Sequence, residues 1–379
     1  AIQLLKELIK IDSVNPSLVQ GAKGEKEIAE YIAGWLKSLG LKTRIDEVIK
    51  GRYNTVGILE GTGEGKSLML NGHTDTVGYD YMTIDPLKPT IKNGKLYGRG
   101  SVDMKGGLAA SLSAVKAIVD SGIKLEGNLV VAAVCDEEYA SIGTEHLMQN
   151  TKVDTAIVGE PSDLQILRCH KGFAWVKIET KGLAAHGSLW QSGVDAITKM
   201  GKVLNGIEEL DKNLKKTYHE LTGPASIHSS LIEGGLGLST YPDKCVLQVE
   251  RRLIPSETIK DVEQEFQTML EKIKQLDPKF NAEYEITFHR NPMDVPAESE
   301  ICKTIIKASE KALGFKPAFI GGSAWLDTQI IWEKGIPAVV YGPSGEGAHA
   351  AVEWVDLQTV IDAAKVQELT IREFCGIKT

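Results

Sequence analysis

Several short apolar runs in this sequence end in carboxylates or histidines, and no other pattern restricts the fold as strongly. The run VVAAV at residues 130–134 leads through a cysteine to three consecutive acids, of which Glu137 and Glu138 are the last. Three further runs, LML, AIV and AVVY, lead in the same way to His73 and Asp75, to Glu160, and to His349. Burial of neighbouring like charges is unfavourable unless a cation compensates them. The pattern therefore predicts buried strands whose ends meet in one crevice that holds positive charge.

The order of the predicted elements favours an α/β fold. Helical spacing over residues 25–39 and 106–120 alternates with the apolar runs, and Asn93-Gly94 lies between two short runs, as in a tight hairpin. Alternation of strand and helix is typical of a mainly parallel sheet with helices packed on it.

The chain of 379 residues is longer than one hydrophobic core usually holds, so two domains are expected. From His170 the pattern changes to strands with a period of two, such as GFAWVKIETKG, and to amphipathic helices. The α/β pattern then returns near Pro292. We therefore predict a catalytic domain formed by residues 1–169 and 289–379, interrupted by an inserted α+β domain at residues 170–288.

Composition disfavours several classes of partner. A net charge of −8 and an isoelectric point near 5.6 argue against nucleic acid and anionic membranes, and no apolar run approaches the ~20 residues that span a bilayer. The amphipathic first segment lacks the cleavage pattern of a signal peptide. Five cysteines are scattered without a CxxC pair, as expected of reduced thiols. We therefore expect a cytoplasmic protein.

The acids and histidines at the strand ends suit a pair of divalent cations. Histidine nitrogens and carboxylate oxygens together are typical ligands of Zn²⁺ and Co²⁺. Two dications carry four positive charges, which balance the four carboxylates Asp103, Glu137, Glu138 and Glu160.

The spacing within two of these segments predicts separate roles. His73 and Asp75 lie two residues apart, so both side chains point the same way on an extended chain. His73 is then able to bind metal while Asp75 accepts the proton of the other ring nitrogen and fixes the tautomer. Glu137 and Glu138 are adjacent and diverge, so one is predicted to hold a metal and the other to face the substrate as a base.

Six motifs, taken together, resemble those of one known family. They are NGHTDTV, GRGSVDMKGGLAA, CDEEYASIG, VGEPSDLQ with the later CHKG, GLAAHGS and GPSGEGAHA, and they run in order over nearly the whole chain. In these motifs the sequence is similar to the acetylornithine deacetylase / succinyl-diaminopimelate desuccinylase family of co-catalytic zinc amidohydrolases, which also includes aminoacylases and glutamate carboxypeptidases. The resemblance implies a zinc-peptidase-like sheet with helices on both faces and an inserted lid and dimerisation domain.

The resemblance also implies roles for individual residues of the catalytic domain. The implied metal ligands are His73 and Glu160 for one zinc ion, Glu138 and His349 for the other, and Asp103 as a bridge between them. Glu137 matches the general base of the family, although an exchange of roles between Glu137 and Glu138 stays open. The segment GGSAWLDTQ carries one acid, Asp327, to which the resemblance gives no role, and AHAAVEWV keeps Glu353 after the histidine.

In the inserted domain the resemblance points to three residues. His186, the histidine of AHGS, would reach the active site of a partner subunit and stabilise the oxyanion. Arg252 falls where an arginine of the family binds the substrate carboxylate, although strand alternation sends only one of Arg251 and Arg252 inward. Ser239 replaces an asparagine that helps to bind substrate in relatives, so the side-chain specificity of this chain is expected to differ.

The predicted activity is hydrolysis of the amide of an N-acyl amino acid by a homodimer, most like that of acetylornithine deacetylase. A hydroxide bridging two metal ions, zinc or else cobalt or manganese, is expected to attack the carbonyl, with Glu137 passing a proton to the leaving amine. GEPSDLQ followed by HKG favours deacetylation over desuccinylation, and a dipeptidase or carboxypeptidase of the same family is the alternative. A member that kept the fold only as a binding module would lack the base or a ligand, and every such position is filled here.

Overall fold

The computed structural model describes residues 1–378, whose backbone forms the following elements. The helices are α1 (Ile2–Lys10), α2 (Lys26–Ser38), α3 (Lys105–Asp120), α4 (Ile142–Asn150), α5 (Ala196–Leu214), α6 (Ile259–Leu276), α7 (Glu300–Leu313), α8 (Thr328–Glu333) and α9 (Leu357–Cys375). The strands are β1 (Lys42–Ile49), β2 (Arg52–Leu59), β3 (Leu68–His73), β4 (Thr90–Lys92), β5 (Lys95–Tyr97), β6 (Leu129–Val134), β7 (Thr155–Val158), β8 (Ile166–His170), β9 (Gly172–Lys181), β10 (Tyr218–His219), β11 (Gly223–Pro224), β12 (Ser226–Gly234), β13 (Lys244–Leu253), β14 (Ala282–Arg290), β15 (Met293–Asp294), β16 (Phe319–Gly322), β17 (Ala338–Val340), β18 (Gly345–Glu346) and β19 (Trp354–Asp356). Within this described part of the chain, no helix is both long and apolar enough to cross a bilayer.

The chain divides into two compact units. The first unit comprises Ala1–Arg168, Val295–Ile320 and the chain from Leu326 onward, and the second comprises Cys169–Asp294 and Gly321–Trp325. The first unit is therefore discontinuous in sequence. The lid and dimerisation role expected of the inserted segment stays a prediction.

The first unit is built around a sheet whose strands follow the order β1-β2-β6-β3-β7-β17-β8. Its four central strands, β6, β3, β7 and β17, pair in parallel, whereas the pairings at both sides of them are antiparallel. Every residue of the central strands is buried, as expected of a parallel sheet covered on both faces. The predicted α/β class with a central, mainly parallel sheet is confirmed.

Two local patterns of the sequence determine how chain segments turn and pack in this unit. Asn93 and Gly94 have φ angles of 52° and 76° and form the tight turn between β4 and β5, as their sequence predicted. In α3, a Cβ atom on Gly107 would lie 1.6 Å from the carbonyl oxygen of Gly159. Only glycine fits there, and it allows α3 to pack closely against the segment that leads to Glu160.

The second unit contains an antiparallel sheet in the order β12-β13-β9-β14, with α5 and α6 packed on one face. Val176 of β9 and Val249 of β13 are buried in the core between this face and the two helices. Because successive side chains of a strand alternate, Trp175 and Arg252 lie on the opposite, open face.

The same alternation separates the two neighbouring arginines of β13. Arg251 is 0% exposed, and its Nη2 lies 2.7 Å from Glu257 and 2.8 Å from Glu265 on the helix side of the sheet. Arg252 instead lies on the open face, where its Nε donates to Oε1 of Glu250 at 2.7 Å. Arg251 is thus part of the core, and Arg252 is the arginine that is free to meet a ligand.

We predict that Arg251→Ala lowers the free energy of unfolding of the second unit by about 3 kcal/mol, because it leaves two partly buried glutamates without their cation. The matched change Arg252→Ala removes a half-exposed pair and is expected to cost less than about 1 kcal/mol. Guanidinium unfolding followed by the fluorescence of Trp175 and Trp325 measures both values. Equal effects of the two substitutions would contradict the assignment of Arg251 to the core.

Candidate metal centre

The parallel strands place most of the predicted ligands at one edge of the first unit's sheet. His73 is the last residue of β3, and Glu160 follows β7 by two residues. Glu138 lies shortly after β6, and His349 lies beyond β17, in the loop between β18 and β19. The carboxyl ends of parallel strands meet at the same edge, which is where these side chains converge. Asp103 joins them from the turn that precedes α3.

His73 faces two of the predicted carboxylates. Its Nε2 atom lies 3.1 Å from Oδ1 of Asp103 and 3.3 Å from Oε1 of Glu160. Both His73 and Glu160 are almost fully buried. The structure therefore brings together the three side chains that were expected to share one metal ion.

His349 contacts the second oxygen of the same aspartate. Its Nε2 atom lies 3.3 Å from Oδ2 of Asp103 and 2.8 Å from Oε2 of Glu138. Asp103 thus directs one carboxylate oxygen to His73 and the other to His349. This is the arrangement that a bridging ligand between two ions requires.

Glu137 lies on the His73 side of the cluster. One ligand atom each of His73, Glu137 and Glu160 lies within 4.8 Å of the others, and the same holds for His73, Asp103 and Glu138. Both glutamates therefore lie near His73, and Glu138 also contacts His349, at 2.8 Å.

Burial makes this concentration of carboxylates unfavourable unless a cation is present. It raises the pKa of Glu138 and of Glu160 to about 7, and repulsion from the charge of Asp103 adds to both shifts. Burial also raises the pKa of Glu137 well above its usual value. Hydrogen bonds to Asp103 and Glu138 raise the pKa of His349 to about 10. Imidazole and carboxylate donors with an excess of negative charge, most of them buried, fit divalent cations such as zinc.

Asp75 orients the cluster, but not as its spacing from His73 predicted. The main-chain oxygen of Asp75 is the closer partner of the His73 ring, at 2.9 Å from Nδ1, while its carboxylate Oδ1 is 3.6 Å away. The carboxylate instead accepts the N–H groups of Glu137 and Glu138, each at 3.2 Å. The expectation that the carboxylate takes the ring proton is therefore corrected, because that side chain is turned towards the loop after β6.

A buried polar network holds the other side of this loop. Nδ2 of Asn15 donates to Asp75 at 2.8 Å and to Asp136 at 3.1 Å. Arg52 lies 2.8 Å from the same oxygen of Asp136 and is also paired with the buried Glu25. Sequence reasoning missed these residues: Asn15 and Asp136 are 121 positions apart, and no local spacing signals their contact.

Asp327, to which the sequence gave no role, is a close neighbour of the centre. It is 1% exposed and precedes α8, and its Oδ2 accepts the hydroxyl of Thr144 at 2.5 Å. Burial raises the pKa of Asp327 to about 6, and its negative charge contributes to the raised pKa of Glu137.

The remaining predicted residues lie in the second unit, and two of them are adjacent. His186 is exposed, and the N–H group of the next residue, Gly187, donates to the carbonyl oxygen of Ser239 at 2.8 Å. His186 also pairs through its backbone with Thr240. Both His186 and Ser239 therefore lie beside the beginning of β13, which starts at Lys244.

Arg252 lies near the opposite end of β13. From Lys244 to Arg252 the strand advances by roughly 26 Å. Glu250 accepts the indole N–H of Trp175 at 3.1 Å as well as the Nε of Arg252, and the guanidinium lies 5.4 Å from the ring centre of Phe173. Glu250 thus orients Arg252 from two positions earlier on the same strand.

A second cluster of side chains of the kinds that bind metals, a cysteine, a histidine and an aspartate, lies in the second unit. Ligand atoms of Cys169, His219 and Asp294 lie within 4.8 Å of one another. Nδ1 of His219 accepts the N–H groups of Leu221 and Thr222, both at 3.3 Å, so the ring proton lies on Nε2, which faces Asp294 at 3.3 Å. Because both ring nitrogens form hydrogen bonds, we assign no metal to this group.

Comparison with known proteins shows the family to which the chain is similar. A model of peptidase family M20/M25/M40 matches residues 69–373. An acetylornithine deacetylase of Photorhabdus laumondii is 30% identical over 385 residues, which cover 99% of this chain and 97% of that protein. An N-formyl-4-amino-5-aminomethyl-2-methylpyrimidine deformylase of Bacillus subtilis is 29% identical over 409 residues, covering 100% and 95%. The crystal structure of a tripeptidase from Staphylococcus aureus matches with a TM-score of 0.81 at 22% identity, covering 99% of this chain and 97% of that one.

Proposed function

This chain belongs to peptidase family M20/M25/M40 and is a hydrolase of amide bonds, and we propose that it removes the acyl group from the nitrogen of an amino acid. The observation that carries the proposal is the position of Asp103, with one oxygen at His73 and the other at His349. Relatives named as acetylornithine deacetylases over nearly the full length support an N-acetylated amino acid as the substrate class.

Two sets of ligands for divalent cations are proposed: His73, Asp103 and Glu160 for one, and Asp103, Glu138 and His349 for the other. Zinc, or else cobalt or manganese, bound there would polarise the amide carbonyl and lower the pKa of a water molecule. The burial of the carboxylates and the contacts of both histidines with Asp103 support this assignment.

The side chains of this protein would then perform the proton transfers and bind the substrate. Glu137 takes the proton of the attacking water and delivers it to the leaving amine nitrogen. Arg252, oriented by Glu250, binds the carboxylate of the amino acid. Nδ1 of His186 accepts the N–H of Ser188 at 3.3 Å, which leaves the ring proton on Nε2 as a donor for the oxyanion. Ser239, beside His186, would contact the substrate from the same side.

His186 is proposed to act in the active site of a second copy of the chain. His186 and Arg252 lie at opposite ends of β13, which is roughly 26 Å long between them. An N-acetyl amino acid has the length of about two residues, or roughly 7 Å. One substrate is therefore too short to touch both side chains of the same chain. In a homodimer, His186 of one chain and Arg252 of the other would be able to contact the same substrate.

The surface of the second unit supports such a dimer. Strand β12 lies at the edge of its sheet, where unpaired backbone groups are open to a further strand. Large apolar side chains are exposed on and after this strand: Leu231, Ile232, Leu236 and Leu238. Exposed apolar patches of this kind mark interaction surfaces. We also place the protein in the cytoplasm, in keeping with its five cysteines, which are all buried as thiols.

The substrate class is tested by measuring the amine released from N-acetylornithine, N-succinyl-diaminopimelate and a series of dipeptides. We expect the N-acetylated amino acid to have a kcat/KM at least about tenfold above the others, which corresponds to about 1.4 kcal/mol of transition-state binding. If the protein turned over dipeptides well and turned over no acylated amino acid, this result would contradict deacylation and favour the peptidases of the family.

The base assignment predicts that Glu137→Gln binds two metal ions per chain, like the unchanged protein, and loses about 10²- to 10⁴-fold in kcat because the proton shuttle is removed. Metal analysis and steady-state kinetics measure the two properties. The exposed Glu27→Gln serves as the control and should change neither. A near-normal kcat for Glu137→Gln, with a large loss for Glu138→Gln at full metal loading, would exchange the two roles.

Complementation between inactive variants tests the action of His186 across the dimer. Mixed dimers of Glu137→Gln and His186→Ala chains contain one site with both residues intact if His186 acts on the partner. Random subunit exchange should then restore about a quarter of the original activity, because about half of the dimers are mixed and each has one competent site. No recovery, with exchange verified by mass spectrometry, would place His186 in the site of its own chain.

A further inference from the structure

A buried ion pair, Arg99–Glu353, adjoins the loops that carry Asp103 and His349. Nη1 of Arg99 lies 2.6 Å from Oε2 of Glu353, and the residues are 2% and 0% exposed. A buried ion pair contributes little net stability compared with apolar side chains of similar size. Its position beside two proposed ligands therefore calls for a reason other than stability.

The carboxylate of Glu353 holds the turn that carries Asp103. Oε2 accepts the N–H of Gly100 at 2.9 Å, and Oε1 accepts the N–H groups of Val102 at 2.9 Å and Asp103 at 3.2 Å. Both oxygens of Glu353 thus bind backbone donors of one short turn. The turn has no strand or helix to fix it, so these bonds set the position of Asp103.

The guanidinium of Arg99 holds the loop that carries His349. Nη2 donates to the carbonyl oxygen of Ala350 and to the hydroxyl oxygen of Tyr81, each at 3.2 Å. The hydroxyl of Tyr81 in turn donates to the carbonyl oxygen of His349 at 3.0 Å. The carbonyl groups of His349 and of the residue after it are thereby tied to the same ion pair as the turn of Asp103.

We propose that Glu353 is a positioning residue that sets the distance between Asp103 and His349 and so determines how tightly the cation between them is held. This inference rests on the proposed function, because it takes Asp103 and His349 as metal ligands. The ligand of the other cation, His73, is fixed independently at the end of β3. Because Asp103 is a proposed ligand of both cations, a loss of Glu353 should weaken both sites, and more so the site that includes His349, since the other keeps His73 and Glu160.

The substitution Glu353→Gln tests this role with little change in shape. An amide NH₂ replaces one acceptor oxygen and faces backbone N–H donors, so at least one of the bonds to the turn is lost. We expect the Co²⁺ ion that lies between Asp103 and His349 to bind about tenfold or more less tightly, as for other residues that orient metal ligands, and the ion that keeps His73 and Glu160 to lose less affinity. Titration with Co²⁺ against a competing chelator, followed by the visible absorption of bound cobalt, measures both affinities.

Two further variants separate positioning from stability. Glu257→Gln is the matched control, because Glu257 also pairs with a buried arginine, Arg251, and accepts a backbone N–H, from Ile254 at 2.9 Å, but in the second unit. It should lower the melting temperature and leave both Co²⁺ affinities unchanged. Tyr81→Phe removes only the exposed hydroxyl between Arg99 and His349 and should weaken the Co²⁺ ion at His349, by a smaller factor than Glu353→Gln does.

Activity provides a second readout. Glu353→Gln should recover its kcat as the Co²⁺ concentration is raised, with KM for the substrate unchanged, whereas a general structural defect would not respond to metal.

Unchanged Co²⁺ affinities in both Glu353→Gln and Tyr81→Phe would overturn the proposal, and Tyr81→Phe decides alone if Glu353→Gln does not fold. If the unchanged protein binds no Co²⁺, the proposed function falls together with this inference. If it binds two ions but hydrolyses no acylated amino acid, only the substrate class falls and the affinities still decide the role of Glu353.

Discussion

Repulsion among buried carboxylates at the ends of β3, β6 and β7 is the constraint on which the rest of the first unit depends. Two like unit charges roughly 4 Å apart repel each other with an energy of about 4 kcal/mol at an effective dielectric constant of about 20. Burial adds the cost of removing each charge from water. The parallel pairing of these strands nevertheless brings the charges to one edge of the sheet. The repulsion is relieved when the carboxyls are protonated, as their raised pKa values indicate, or when positive charge compensates them, which is why the arrangement is suited to cations.

The loops that carry the charged side chains are held by buried polar groups rather than by regular structure. The carboxylate of Asp75 binds the backbone of the Glu137 and Glu138 loop, and the carboxylate of Glu353 binds the turn of Asp103. In both cases one buried acid fixes the backbone that carries another acid of the cluster. Metal ligands need positions accurate to a fraction of an ångström, and loops reach that accuracy only with such support.

Local sequence patterns predicted much of the secondary structure. The helices expected at residues 25–39 and 106–120 are α2 (Lys26–Ser38) and α3 (Lys105–Asp120), because their apolar periodicity and small residues reflect the burial of one face. Strand β1 and helix α8 were not predicted. The residues of β1 are half exposed at the edge of the sheet, and α8 has only six residues, so neither leaves a clear periodic signal.

The sequence by itself determined which side chains gather at the centre, since histidines and acids placed directly after apolar runs are a local property of the chain. Only the tertiary structure decided what holds them in place: the contacts of Asn15 with Asp136 and of Arg99 with Glu353 join positions 121 and 254 residues apart. It also decided that the carbonyl rather than the carboxylate of Asp75 meets His73. The physical reason is that the periodicity of a segment reflects only which of its faces packs against the core. A buried hydrogen bond depends instead on which distant segment the packing brings within about 3 Å.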